Sequence, residues 1–333
     1  MTTPIKIKPL DLFSEEEWNR LRKRSDLLGL GTILHAWAII IAAMAMFAVW
    51  PNPVTFVLAV MLIGARQLGL AILMHEAAHG GLSTNHKLND WVGQWLCAAP
   101  VGAHLRNYRD YHISHHKYAQ SDKDPDLILS APFPITRKSL GRKIIRDMTG
   151  QTFFKQRSNQ FANAMGLGIK KQKGRVNRAQ SAREAVIPFL ITNAFIAIVM
   201  TLVIGWWSYP VLWLLPLATW NQLVTRLRNI AEHACLDGSN HPMKVARTTR
   251  TNFLERLFIA PYWVAYHCEH HMFMHVPCYR LAEAHAILTQ KGTDNGGERR
   301  ISCSTETCQF ETIRRLTRLT RLQIHKFVID CSL

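Results

Sequence analysis

Residues 27–65 read LLGLGTILHAWAIIIAAMAMFAVWPNPVTFVLAVMLIGA, a stretch with no Asp, Glu, Lys or Arg. A hydrocarbon core takes ~20 apolar residues as a helix, and this run is about twice that. It breaks near its middle at Trp50-Pro51-Asn52-Pro53. Turn residues beside an aromatic one are the composition of a tight hairpin at a membrane surface. A second charge-free stretch, Ala185 to Thr225, repeats the pattern around Trp206-Trp207-Ser208-Tyr209-Pro210. The expected fold class is therefore all-α. It is a multi-pass membrane protein with four transmembrane helices as two hairpins, at about 28–50, 54–74, 186–206 and 210–225. A buried helical hairpin of a soluble protein is the alternative, and charge-free runs of this length count against it.

Outward from the hairpins, the formal net charge of +17 is unevenly placed. Neither hairpin turn carries Lys or Arg. The N-terminal arm holds Lys6, Lys8, Arg20, Arg22, Lys23 and Arg24, and Arg137 to Arg183 holds thirteen basic residues against one acid, Asp147. The positive-inside rule puts both termini and the central connection in the cytoplasm. A basic balance also suits nucleic acid, but the juxtamembrane position favours anionic lipid head groups, and no nucleic-acid partner is expected. Arg66 falls inside the second span, where snorkelling or a polar partner is needed. Two further apolar pieces are too short to cross: Trp91 to Leu105, which is expected along the interface, and Leu257 to Tyr266. Residues 1–290 read as one membrane domain with a helical cytoplasmic cap, and 291–333 as a basic C-terminal tail that includes a candidate amphipathic helix around Ile313 to Leu319. The seven cysteines form no CxxC pair, as expected of reduced thiols, and no cleavable leader is expected before the first span.

Sixteen histidines stand in the chain, and their spacing points to chemistry. His75-Glu76-Ala77-Ala78-His79 lies at the cytoplasmic end of the second span. His112-Ile113-Ser114-His115-His116 comes in the next polar stretch, and His267-Cys268-Glu269-His270-His271 comes after the fourth span. On a helix, positions i, i+3 and i+4 share a face, so each group can aim two or three imidazoles at one place. A single His is ordinarily a polar or surface residue; eight in three such groups are not explained that way. Asn229 and His233 are four apart and also share a face, a weaker signal that a cap or hydrogen bond explains as well. His35, His86, His104, His241, His275, His285 and His325 are expected in polar packing or solvent.

Neutral imidazole suits zinc, copper, nickel and iron, so ligand type leaves the metal open. Eight or nine histidines exceed the three or four that one zinc takes, whereas two ions with about four imidazoles each use them all. An all-nitrogen iron pair beside a membrane suits oxygen activation against lipid chains. Carboxylate-bridged pairs use Glu together with paired Glu-x-x-His motifs, and that set is missing here, since only Glu76-Ala77-Ala78-His79 has the spacing.

These residues resemble the membrane-bound fatty acid desaturase superfamily, which includes hydroxylases and ketolases, from about Leu27 to His285. His75 and His79 match its first histidine box, His112, His115 and His116 the second, and His267, His270 and His271 the third. The segment ending at His233 resembles the one that brings an extra ligand, and Asn229 fits a position that holds one metal through water. The run from His116 through Asp124-Pro125-Asp126 resembles the family's stretch just after the second box. The resemblance implies two iron ions on these residues, O2 as co-substrate, no catalytic group apart from the metal ligands, and conversion of a methylene pair of an acyl chain to a double bond. A hydroxylase or ketolase outcome is the neighbouring alternative. The resemblance also implies a lipid or acyl-thioester substrate and a separate electron donor of ferredoxin or cytochrome b5 type. The implied setting is a bacterial inner membrane or endoplasmic reticulum, with the active site cytoplasmic. Glu76, Glu232 and Glu269 are expected to orient imidazoles, with direct ligation as their other role. From Lys291 onward the chain departs from the family's ending.

The rival from another class takes His75-Glu76-Ala77-Ala78-His79 as HExxH, two zinc ligands and the general base of a membrane metalloprotease. It leaves both HxxHH groups unexplained. A haem carrier would place its histidines across the bilayer from one another, not at one side.

Overall fold

The computed structural model describes residues 6–167, 175–236 and 241–294. Among these residues the fold is all-helical, and the one strand-like contact is an isolated antiparallel bridge between Thr248 and Tyr266. The helices are α1 (Glu15–Leu21), α2 (Asp26–Val49), α3 (Pro53–Ala78), α4 (His86–Val92), α5 (Leu105–Tyr118), α6 (Leu127–Ser130) and α7 (Arg137–Met148). They continue as α8 (Gln151–Ala164), α9 (Arg175–Val203), α10 (Leu215–Ala218), α11 (Trp220–His233), α12 (Phe253–Phe258), α13 (His267–Met272) and α14 (Leu281–Asp294). The chain divides into two compact units. An apolar unit comprises residues 30–109 and 142–225, and a polar unit comprises 1–29, 110–141 and 226–333.

In the apolar unit, three helices are long and apolar enough to cross a membrane: Asp26–Val49, Pro53–Ala78 and Gln180–Val203. The first two are joined where the sequence places a turn. Asn52 accepts from the backbone N–H groups of Val54 and Thr55 at 3.0 and 3.1 Å, and Pro53 opens α3, where its missing N–H costs nothing. Leu34, Ile41, Val57, Phe195 and Leu202 point outward from these helices, all more than half exposed, an apolar surface that suits lipid. The fourth predicted span, 210–225, is not one straight helix. A π-helical turn at Tyr209–Leu214 leads into α10 with Pro216 in its first turn, and the backbone breaks at Thr219 (φ −118°, ψ −84°) before α11 begins.

Polar side chains tie this unit together internally. Asn193 Oδ1 accepts from Trp213 Nε1 at 2.8 Å and from the Tyr209 hydroxyl at 3.1 Å, and Gln67 Nε2 donates to the Trp213 carbonyl at 2.9 Å. Trp37 stacks on Trp213 with ring centroids 5.7 Å apart. Gly64 is required by close approach, since a Cβ there would lie 2.9 Å from Trp220 Cβ. Arg66 is 3% exposed, so it is taken up inside the protein and does not snorkel outward. The short apolar piece from Trp91 buries Val92, Cys97, Ala98, Ala99 and Leu105 while leaving Trp91 itself 55% exposed. The other short piece, Leu257 to Tyr266, spans nothing. It ends α12 and turns through Tyr262 and Trp263, both left-handed at φ 57° and 59°.

The polar unit is organised around its own core of Phe13, Leu21, Phe273, Val276, Leu281, Ala284 and Leu288. Its N-terminal arm lies on α14. Phe13 meets Phe273 edge-on with centroids 5.1 Å apart, Arg20 Nε donates to Glu283 Oε1 at 2.6 Å, and Lys291 Nζ pairs with Glu17. Ser14 starts α1 with a capping box: its hydroxyl accepts from Glu17 N at 3.2 Å while Glu17 Oε2 accepts from Ser14 N at 2.7 Å. Replacing Ser14 by Ala removes one half of that exchange, and the expected loss is about 1 kcal/mol, read as a lower midpoint in thermal unfolding. The proposed tail helix around residues 313–319 lies outside the described residues.

Candidate metal centre

Each histidine box is set at or near a helix end, and each end is held by side chains of its own unit. In the apolar unit, His75 stands in the last turn of α3 and His79 is its C-terminal cap, with ring centroids 5.1 Å apart. The carbonyls that end α3 are satisfied by Arg109, which donates to Ala78 O at 3.0 Å and Ala77 O at 3.1 Å, and by Asn89 Nδ2 at 2.9 Å to Ala77 O. Between the two histidines, Glu76 packs against Gly81 so tightly that a Cβ at Gly81 would fall on its carboxylate.

In the polar unit the second box lies on one face of α5. His115 Nδ1 is 2.7 Å from Asp124 Oδ1, and both residues are buried. A left-handed turn at Gln120 (φ 61°) brings Asp124 back to the helix, and Gln120 N donates to Asp124 Oδ2 at 2.8 Å. Burial opposes the Asp124 charge, but the His115 contact and two backbone N–H donors outweigh it and hold the carboxyl below its ordinary value. With Nδ1 donating to Asp124, His115 presents its Nε2 lone pair to His271 Nε2 at 3.3 Å. His233, the last residue of α11, repeats the device: Nδ1 donates to the Val245 carbonyl at 3.2 Å, and Nε2 faces His267 Nε2 at 2.8 Å. His115, His233, His267 and His271 together place ligand atoms within 4.8 Å of one another. Beside them, His116 Nε2 lies 2.9 Å from His112 Nε2 and 2.9 Å from His270 Nε2.

These spacings fit metal. Bonds of about 2.1 Å to one first-row ion put neighbouring donor nitrogens roughly 3 Å apart. Imidazoles whose outer nitrogens already donate to Asp124 and Val245 have only lone pairs to turn inward. Burial also keeps the rings neutral, pushing His233 down to about 3 and His271 well below its ordinary value. The centre thus offers seven imidazoles from the second box, the third box and α11 in one unit. Asn229 sits half-buried on α11, one turn before His233. Of the three carboxylates within the motifs, Glu269 faces away from the rings, bonded to Thr248 and, at 2.6 Å, to His285 Nδ1. Glu232 is buried beside the cluster, and burial pushes its carboxyl up to about 7 although Arg228 partly offsets this. The Cys268 thiol faces Met243 and Met272, and burial raises it well above its ordinary value. Outside the boxes, His285 serves Glu269, His104 lies 4.0 Å from Glu184, and His86 and His275 are exposed, while His325 lies outside the described residues.

Spacing of histidines does not disclose Arg247. It is buried, and it donates to Ala231 O at 3.1 Å and Ala234 O at 2.6 Å, closing the end of α11 that carries His233. Arg247→Met leaves those buried carbonyls unmet. We expect a loss of about 1–2 kcal/mol in unfolding of the detergent-solubilised protein.

Comparison with known proteins identifies the family of the chain. The fatty acid desaturase family pattern matches residues 49–301, which takes in all three histidine boxes and extends beyond His285. Dihydrorhizobitoxine desaturase of Bradyrhizobium elkanii is 25% identical over 243 residues, which cover 70% of this chain and 67% of that protein.

Proposed function

Because the chain belongs to the fatty acid desaturase family and is an oxidoreductase, we propose that it converts a methylene pair of a membrane-borne acyl chain to a double bond, using O2 and a pair of irons. The observation that carries this reading is the set of seven buried or half-buried imidazoles converging in the polar unit, their outer nitrogens tied to Asp124 and Val245 where those bonds are seen. In this reading His115, His233, His267 and His271 hold one ion, and His112, His116 and His270 serve the other. His75 and His79 take the remaining places in this reading and Asn229 a water-held one, as the resemblance of their motifs implies. Bound iron supplies the redox chemistry with O2 that C–H cleavage needs. The chain's own task is to fix the imidazoles and keep them neutral, which Asp124, Val245 and burial do. A zinc protease built on His75, Glu76 and His79 would leave all seven of the other imidazoles without purpose. The relative from Bradyrhizobium elkanii is itself named a desaturase, which supports desaturation over hydroxylation.

The same reading takes residues 1–290 as one catalytic domain with four spans in two hairpins, the broken segment before Thr219 serving in the fourth. Both termini and the metal centre then face the cytoplasm, as the thirteen basic residues from Arg137 to Arg183 favour. Electrons come from a separate ferredoxin- or cytochrome b5-type protein.

The test is the iron content of detergent-purified protein together with the lipid profile of cells that express it. We expect about two irons per chain and new unsaturated acyl chains. Hydroxylated or keto products would keep the centre and change the reaction, and one zinc with unaltered lipids would overturn both.

A further inference from the structure

Most carboxylates near the histidines of the polar unit are fully engaged elsewhere. Both oxygens of Asp124 accept, from His115 and Asp126 N on one side and from Gln120 N on the other. Both oxygens of Glu269 are taken by Thr248 and His285. Glu232 is different. It is 3% exposed, on the turn of α11 that ends in His233. Its Oε1 accepts from Arg228 Nε at 2.8 Å, one turn earlier, which fixes the plane of the carboxylate. Its Oε2 is buried and makes no hydrogen bond. That oxygen lies 3.5 Å from His267 Nε2, which is itself 2.8 Å from His233 Nε2.

A buried carboxyl oxygen without a hydrogen-bond partner is unfavourable, and proteins satisfy such atoms with a hydrogen bond, a water or a cation. At 3.5 Å from a ring nitrogen the contact is too long for a good hydrogen bond. It is instead the separation of two donors that share one ion. We propose that Glu232 is a direct ligand, through Oε2, of the ion held by His115, His233, His267 and His271. That centre is then mixed nitrogen and oxygen, whereas His112, His116 and His270 offer imidazole alone. A carboxylate is a harder, charged donor than neutral imidazole and favours the ferric over the ferrous ion. The two irons are accordingly unequal, and the one beside Glu232 is the easier to oxidise. Arg228 is the positioning residue for this ligand.

This inference rests on the iron pair of the proposed function, and the experiment separates the two. Full-length protein and its Glu232→Gln variant are loaded with ⁵⁷Fe, fully reduced, and compared by Mössbauer spectroscopy and metal analysis. The wild type is expected to show two distinct ferrous doublets of equal area. In the variant, one doublet changes its isomer shift, or disappears with about half of the iron, while the other stays in place. Two irons with both doublets unchanged would overturn the ligand assignment and leave the iron pair standing. A wild-type protein that holds fewer than two irons would overturn the iron pair itself.

A second measurement needs no variant fold. Wild-type protein labelled with ¹³C at the glutamate carboxyl is reduced by one electron in frozen solution. A strong ¹³C hyperfine coupling to the mixed-valent pair is expected, and its absence would overturn the proposal whatever the variant does.

Discussion

His270→Ala gives a protein that enters the membrane normally and oxidises no substrate. His270 is buried at 4% exposure, with Nε2 2.9 Å from His116 Nε2, so it stands inside the histidine cluster and not at its rim. Alanine removes a donor that no neighbour can replace, because the adjacent imidazoles are held by their own partners. Loss of an outer partner of a metal ligand costs about 10–100-fold, and loss of the ligand itself is expected to exceed that. Insertion is unaffected because the three long apolar helices, Asp26–Val49, Pro53–Ala78 and Gln180–Val203, do not include the position. Membrane fractionation and product analysis of the same cells make the check. Normal product from the variant would remove His270 from the centre and the iron pair with it.

Asp124→Ala is expected to lower iron affinity, and activity with it, by about 10–100-fold. Asp124 touches no metal site directly. It accepts from His115 Nδ1 at 2.7 Å and so decides which nitrogen of that ring carries the proton and which faces His271. Without the carboxylate both tautomers of His115 become accessible and the ring loses its orientation. The same side chain also accepts from Gln120 N and Asp126 N, so the left-handed turn after α5 loosens as well. Asp124→Asn retains one acceptor oxygen, and so only one side of these contacts, and is expected to fall between the alanine variant and the wild type. Titration of the metal-free protein with ferrous ion ranks the three, and equal affinities would exclude this role.

Residue spacing made the histidines legible, because i, i+3 and i+4 periodicity needs no knowledge of the rest of the chain. His112, His115 and His116 share one face of α5 as their spacing requires, and His267, His270 and His271 do so on the short helix α13. Charge-free length likewise made three long helices legible. The fourth segment was less so. Hydropathy averages over Pro210, Pro216 and the break at Thr219, and it is blind to the backbone geometry that makes this stretch a π-turn, a short helix and a new start. The partners of the ligands were harder still. Asp124 stood in a stretch that resembled the family, but its bond to His115 depends on the turn at Gln120. Arg247 reaches the end of α11 across a turn of the chain, and no local pattern announces an arginine that caps another segment's carbonyls. Glu232 could be seen to neighbour a ligand, while the open side of its carboxylate is a matter of three dimensions.

The packing of the N-terminal arm on α14 has a consequence for biosynthesis. Phe13 leaves the ribosome early and its partner Phe273 late, about 260 residues apart. At about 5–20 residues per second that interval is roughly 10–50 s, during which the arm has no partner to fold upon. The three long apolar helices are complete within that time, but the third histidine box is still being translated. On the proposed function, the metal site cannot be completed until the third box, residues 267–271, has been made. On the same reading, a nascent chain stalled before residue 267 would already hold its three long apolar helices but lack His267, His270 and His271, and would bind iron more weakly than the full chain.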